Sequence, residues 1–427
     1  MTTPQDAALG VDGSSDAPTG FGAYLFAHTS WFVALGVQMV LFPYLVGVVL
    51  HEGPIRFGFA QMSLQLPTTI LILLGGFFAD RVDGRRIIIA ASALTVLTFL
   101  GLGGLVAAGK LTYGLLIAYA LVMGVIGAFA TPARDSLLSQ VAPDLGNLQK
   151  AVAGASLAQF GGQILGMLFA IAAPILGVAS LLFGQAALMV AGVFAAVQLR
   201  PRPVGARAPR EGHPLQFLAR QIGEGFQAAI ASPVIAPVLI CAIGMGVCFM
   251  GAFSVLLPLM VKGYFPVVTD GKANTAIASA FGVFSLCFWV GSMLSAMVLM
   301  RRGQLRRPGR AYLIALATGA SVLVVCALPM PLWLLCVLNF VWGLGGGVAM
   351  TLGRGLVQAY APPEKRARVL SIFTLGMMGG GPLGAVAYGF LAHEIGARQS
   401  IIFPGLLMLV IVGVVTARSR LWRLGET

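Results

Sequence analysis

The residues best suited to chemistry in this chain are few, charged and crowded together. The segment GGFFADRVDGRR, Gly75 to Arg86, ends a long apolar run. Gly76 and Ala79 let another helix come close, and Asp80 at the membrane edge then meets Arg81, Arg85 and Arg86 in a connector too short to be passive. A second group, Arg134 and Asp135, stands in TPARDSLLSQVAP, Thr131 to Pro143. Neither group contains a nucleophile with its base or a set of metal ligands, so the chemistry they can perform is the making and breaking of ion pairs. Burying a carboxylate in mid-membrane costs about 2.5–3.5 kcal/mol on insertion scales, and every acidic residue here lies outside the apolar cores or at their edges. Proton coupling, if the protein has it, must therefore use rim groups: Glu52, Asp80, Asp135 or His28, the last near the start of the first apolar run.

Other motifs lead nowhere catalytic. Gly379 to Gly384 (GGGPLG) fits a dinucleotide fingerprint in spacing but lies inside an apolar helical run, without the strand that fingerprint requires. His393-Glu394 lacks the second histidine of a zinc-protease motif. The five cysteines fall inside apolar runs with no Cys-x-x-Cys pair, which supports neither metal nor redox chemistry. No Walker loop or Gly-x-Ser-x-Gly occurs. The expectation is a protein that is not an enzyme and has no cofactor and no metal.

The elements that must position these residues are membrane helices. Of 427 residues, 58% are hydrophobic and 10% charged, against about a quarter charged in soluble domains. Ten runs lack Asp, Glu, Lys and Arg: 17–51, 57–79, 87–109, 111–133, 151–199, 225–261, 273–300, 311–353, 369–393 and 399–417. A crossing needs about 20 apolar residues. The runs 151–199 and 311–353 suffice for two each, with breaks at Pro174–Gly177 and at Pro329-Met330-Pro331. Twelve spans follow. The net charge of +13 is no sign of nucleic-acid binding, because the basic residues sit in short connectors rather than on one folded face. With a cytoplasmic N-terminus, 22 of them lie in cytoplasmic connectors and tails and 5 on the other side, a strong positive-inside bias.

The chain divides at an Arg-, Pro- and Gly-rich linker, Arg200 to Pro214. Leu215, Leu218, Ile222, Phe226 and Ala229 after it follow helical spacing, with Arg220 and Glu224 as an i,i+4 pair, so a surface amphipathic helix ending before Pro233 is expected. The expected layout is a cytoplasmic tail 1–23, a six-helix bundle 24–199, a linker 200–232, a second bundle 233–417 and a tail 418–427. Shifting the first half by about 220 positions places Arg81 on Arg301, Arg86 on Arg306, Arg134 on Arg354 and Pro143 on Pro363.

These features resemble the major facilitator superfamily. Gly75 to Arg86 is similar to its signature loop between helices 2 and 3. The Asp-Arg-x-Asp-x-Arg-Arg form, the Pro-Ala-Arg segment at Pro132 to Arg134, and Gly223-Glu224-Gly225-Phe226 with Pro233 resemble the branch that includes enterobactin exporters and macrolide efflux proteins. The resemblance implies an all-α membrane protein of twelve transmembrane helices in two six-helix pseudo-repeats. It implies a gate in which Asp80 faces a helix N-terminus of the other half, flanked by Arg81, while Arg85 bridges Asp80 to Asp135 beside Arg134 and holds the cytoplasmic side shut in the outward-facing state. It also implies a cavity lined by spans 1, 4, 7 and 10, with Trp31, Gln38, Tyr44, Tyr119, Phe249, Phe253, Asn339, Trp342 and Arg354; spans 2, 5 and 8 add Gln61, Gln65, Gln159, Gln163 and Trp289, and each glutamine can equally serve a helix–helix hydrogen bond. One departure is plain. Span 5 carries Gly162-Gln163-Ile164-Leu165-Gly166 where drug/proton antiporters often have Gly-Pro-x-x-Gly, and the proline form stands in span 11 as Gly381-Pro382-Leu383-Gly384, a candidate point of helix flexing.

Uncharged amides beside aromatics suit a neutral, amphipathic or largely apolar molecule. The expectation is a secondary active transporter of such a small molecule, working by alternating access as a monomer in the lipid bilayer of a bacterial inner membrane. Both termini are expected to be cytoplasmic, the direction outward, and proton coupling is left open. Rivals are a facilitator or importer, a lysophospholipid-type lipid transporter, and a non-transporting receptor or scaffold.

Overall fold

The computed structural model describes residues 20–79, 82–142, 148–200, 214–265, 271–302, 305–362 and 365–424. Asp80, Arg81, Pro143, Pro363, nearly all of the 1–23 tail and linker residues 201–213 lie outside the described residues. Among the described residues there is no β-strand. The long helices are labelled α1 (Phe21–Tyr44), α2 (Pro54–Ala79), α3 (Gly84–Ala107), α4 (Tyr113–Val141), α5 (Leu148–Ile171) and α6 (Val178–Val197) in the first half. The second half holds α7 (Ile235–Lys262), α8 (Gly271–Arg302), α9 (Pro308–Cys326), α10 (Leu332–Tyr360), α11 (Arg366–Ile395) and α12 (Ile402–Arg418). Eleven helices among the described residues are long and apolar enough to cross a membrane. The 26-residue α2 occupies the place of the remaining expected span, around the uncharged run 57–79.

Helix ends follow local chemistry. The Asp83 carboxylate caps α3 by accepting from the Arg85 amide at 2.9 Å, and Thr112 caps α4 through the Leu115 amide. The break inside 151–199 is a short helix, Ala173–Leu176, closed by Gly177 at φ +79°, a conformation that favours glycine. Pro331 sets the start of α10. Two departures from regular helix carry no clear sequence signal. The end of α1, Leu45–Val49, and the middle of α7, Met245–Met250 and Ala252–Leu256, widen into π-helical turns. Leu45–Val49 and Ala252–Leu256 each lie next to a proline, Pro43 or Pro258, that withholds a backbone donor.

The two halves pair their helices in the same pattern. In the first, α1 packs on α5 and α6, α2 on α4, and α3 on α4 and α6; in the second, α7 packs on α11 and α12, α8 on α10, and α9 on α10 and α12. Glycine brings the backbones together at matching seams. A Cβ on Gly36 of α1 would stand 2.2 Å from the Gln163 carbonyl of α5, and one on Gly246 of α7 would stand 2.3 Å from the Met377 carbonyl of α11. Lipid offers no hydrophobic drive for helix association, so close van der Waals contact of this kind holds the bundles.

Between the halves, α2 meets α11 and α5 meets α8. Several of these contacts lie at the end away from Gly20 and Leu424, and others reach mid-span, where Gln65 meets Gly381 and the Thr69 hydroxyl donates to the Met378 carbonyl at 3.4 Å. Gly58 faces Ala385 and Gly389, Phe59 meets Phe390 edge-on with ring centroids 6.1 Å apart, and the Ser279 hydroxyl donates to the Ile171 carbonyl at 2.6 Å. The π-helical end of α1 also touches Leu257–Lys262 of α7. The halves are thus clamped together on that side.

The surface helix Pro214–Ala231 lies against α11 and the end of α2. The side chain of Arg220 lies outside the described residues, so the expected Arg220–Glu224 pair is not described. Glu224 accepts from Arg368 of α11, which ties the linker helix to the second half.

Candidate functional site

On the side of the chain ends, α1 presents Tyr24, His28 and Trp31 on one face, at i, i+4 and i+7. All three are buried. Tyr24 stacks on His28 with centroids 5.4 Å apart, and Phe32 meets His28 at a tilt of 57° with centroids 4.8 Å apart. From α4, the buried Arg134 lays its guanidinium over the Trp31 ring, 3.7 Å from the centroid. A desolvated cation–π contact of this kind is worth about 2 kcal/mol or more. The Tyr24 hydroxyl donates to the Arg134 carbonyl at 3.1 Å and lies 3.4 Å from His28 Nδ1. Its single proton goes to the carbonyl, so the histidine contact requires Nδ1 to be the donor.

Asp135, the next residue on α4, lies within electrostatic reach of Arg354 of α10 as well as of Arg134. Arg354 is exposed. The pair spans the two halves on the side opposite the clamp. Within this group His28 Nε2 and Arg134 Nη2 are buried without a hydrogen-bond partner. Unsatisfied buried polar atoms are where water or a polar group of a ligand binds.

Arg85 reaches the end of α6. Its guanidinium donates to the carbonyls of Ala196, at 3.4 Å, and Val197 at the end of α6, a favourable place for a cation because the carbonyls there lack intrahelical partners. Asp80 and Arg81 lie outside the described residues. Glu52 sits on the clamped side, paired with Arg56 at 3.1 Å; the Arg56 carbonyl accepts from the Tyr113 hydroxyl of α4 at 2.9 Å.

The residues expected in the cavity separate into two kinds. Several are engaged with neighbouring helices. The Gln38 amide donates to Gln185 Oε1 of α6 at 3.0 Å, and Asn339 donates to the Phe284 carbonyl of α8 at 2.7 Å. Tyr119 stacks on Phe42, Tyr44 is buried, and Gln65 rests its amide oxygen against Gly381 of α11. Gln163 is buried, its side-chain oxygen without a partner. The others form an aromatic cluster in the second half, where Phe249, Phe253 and Trp342 meet Phe288 and Trp289 with centroids 5.0–5.9 Å apart. Trp289 reaches across to Phe160 of α5 at 6.2 Å, and its indole N–H is buried without a partner. This cluster can hold an apolar or aromatic surface by contact and offer it one donor.

Gly381, Pro382 and Gly384 lie in a helix continuous from Arg366 to Ile395. A Cβ at Gly384 would stand 2.2 Å from the Val247 carbonyl of α7, so this motif brings α11 against α7. Sequence reasoning passed over Tyr24, Phe288 and Phe160. The four-residue spacing Tyr24–His28–Phe32 was readable as one face, whereas Phe288 and Phe160 stand among too many other apolar residues to be singled out.

Comparison with known proteins agrees with this architecture. A family model described as transmembrane secretion effector matches residues 24–426. The multidrug efflux pump Tap of Mycolicibacterium fortuitum is 27% identical over 404 residues, covering 92% of this chain and 93% of that protein. The enterobactin exporter EntS of Escherichia coli is 24% identical over 411 residues, covering 92% and 89%. Among solved structures, the nucleoside transporter NupG superimposes with a TM-score of 0.72 at 14% identity, over 93% of this chain and 98% of that one. A bacterial homologue of the human lysosomal transporter Spinster, in an inward-facing unoccupied conformation, gives 0.66 at 15% identity, over 99% and 98%.

Proposed function

Because the chain belongs to the transmembrane secretion effector family of major facilitator transporters, we propose that this multi-pass membrane transporter exports an amphipathic, largely uncharged small molecule by alternating access. The observation that carries the reading is the clamp between the halves at the end away from Gly20 and Leu424. Two bundles with the same internal pairing that meet tightly around Gly58 and Gly389 can exchange that contact for one at the opposite end by rocking as rigid bodies. The gate on the opposite side consists of Asp80, Arg81, Arg85, Arg134 and Asp135, with Arg354 answering from the second half. The substrate sits against Phe249, Phe253, Trp289 and Trp342, and Trp31 with Arg134 guards its approach.

Outward direction is supported by the relatives, named as an efflux pump and an exporter. The 22-to-5 distribution of basic residues supports an inner-membrane protein with both termini cytoplasmic, and the matched internal pairing supports a working monomer. His28 and Asp135 are the groups best placed to carry a coupled proton.

The test is transport in proteoliposomes with a defined orientation and a panel of fluorescent amphiphiles. Movement toward the face opposite the termini, driven by an imposed pH gradient and collapsed by an uncoupler, is the expected result. Net flux that ignores the uncoupler would make the protein a facilitator, and binding without flux would make it a receptor or scaffold.

A further inference from the structure

On the outer face of the second half, away from the transport path, an apolar furrow of about 680 Å³ runs between α9 and α12. It exists because both walls carry small residues, Ala317, Thr318 and Ser321 on α9 and Gly413 and Ala417 on α12. The Thr318 hydroxyl is spent on the Ile314 carbonyl at 2.9 Å, which leaves Ser321 as the other hydroxyl of a mostly apolar α9 wall. From Leu313 to Val325 the furrow follows α9 for about 18 Å at 1.5 Å per residue.

Its end nearest the chain terminus is built. Ser419 caps a final turn, Arg420–Arg423, by accepting from the Leu421 amide at 3.3 Å. Leu421 is fully buried against Gly309, where a Cβ would stand 2.1 Å from the Leu421 carbonyl, so only glycine lets the turn seat there. This places Trp422 in the furrow wall, and the Arg310 guanidinium lies 4.9 Å from the centre of its ring. Arg420 and Arg423 are exposed on the same turn.

A long apolar slot that opens, at one membrane surface, onto a tryptophan and a group of arginines is complementary to one molecule of the surrounding leaflet. We propose that this furrow is a binding site for an anionic phospholipid, with one acyl chain between α9 and α12 and its phosphate at Arg310 and the terminal turn. Tryptophan at headgroup depth and arginine at the phosphate are the side chains such a site needs. The inference is independent of the substrate and of the direction of transport.

The purified full-length protein in zwitterionic detergent is titrated with phosphatidylglycerol carrying brominated acyl chains, and with the brominated phosphatidylcholine of the same chains. The readout is the part of the tryptophan quenching that disappears in Trp422→Phe. The expected result is half-quenching at roughly tenfold lower mole fraction for phosphatidylglycerol. In Arg420→Gln/Arg423→Gln this preference should disappear, because each contributing arginine alone is worth about fivefold. Ala317→Phe, which fills the furrow, should remove the quenching while the variant stays monodisperse and melts normally in zwitterionic lipid. Equal quenching by the two lipids, a preference unchanged in the arginine variant, or competition by glycerol phosphate as strong as by the whole lipid would overturn the proposal.

Discussion

Substituting Gly58 by alanine separates the clamp from ordinary packing. The added methyl would stand 2.5 Å from the Ala385 carbonyl and 3.2 Å from the Gly389 Cα, across the boundary between the halves, where ordinary contact begins near 3.4 Å. Overpacking of this kind costs about 1–3 kcal/mol. The penalty applies only while the halves are closed on this side, because rocking carries α2 and α11 apart. The equilibrium should therefore move toward the opposite conformation by about 5- to 150-fold. Gly36→Ala is the control. Its methyl would stand 2.2 Å from the Gln163 carbonyl, but α1 and α5 belong to one half and stay packed in both conformations. It should lower the melting temperature and leave the conformational balance alone. The assay is pulsed electron paramagnetic resonance between spin labels at Gly53→Cys and Glu394→Cys in a cysteine-free background, both at exposed positions on the clamped side. Gly58→Ala should raise the population at the longer distance, and Gly36→Ala should not. If the two variants gave the same distance distribution, the idea that this contact opens during the cycle would fail.

Three further outcomes are expected. Asp80→Asn should insert normally and lose transport, measured as membrane abundance against flux in vesicles; full activity would remove Asp80 from the gate. Arg134→Gln gives up the stacking on Trp31 and should lose about 2 kcal/mol of stability, with Arg134→Lys in between, because an ammonium keeps the charge but not the flat contact; equal melting of the lysine and glutamine variants would contradict this. Gln38→Leu alone strands the Gln185 amide and should cost about 0.6–1.7 kcal/mol, whereas the double change with Gln185→Leu should recover most of it, read by thermal unfolding in detergent; strictly additive losses would argue that the two side chains do not share a bond.

Much of the fold is legible in the sequence because membrane insertion leaves linear marks. Uncharged runs register the hydrocarbon thickness, and Gly177 and Pro331 register where a double run turns. The linker helix could be read from Leu215, Leu218 and Ile222 because one of its faces is polar. The site is harder for the same reason in reverse. A helix such as α1 is apolar on nearly every face, so no polar stripe tells which way Gln38 or Trp31 points. Span membership places Gln38, Asn339 and Gln65 among the cavity residues but does not say whether a side chain bonds a neighbouring helix or meets substrate. The structure shows Gln38 and Asn339 bonded to Gln185 and Phe284 and Gln65 resting on Gly381.

Arg85 makes the same point at the gate. Its place in the loop motif was plain, but its partners are carbonyls of α6, more than a hundred residues away in the chain. The sequence by itself determined that the chain spans a membrane many times, which residues lie at its edges, and that its halves are related, because each of these depends on local composition. Only the tertiary structure decided which polar groups serve neighbouring helices, which remain unsatisfied, and which end of the molecule is closed. Those depend on the rotation of each helix about its own axis and on neighbours distant in the chain, and neither leaves a periodic trace in a uniformly apolar segment.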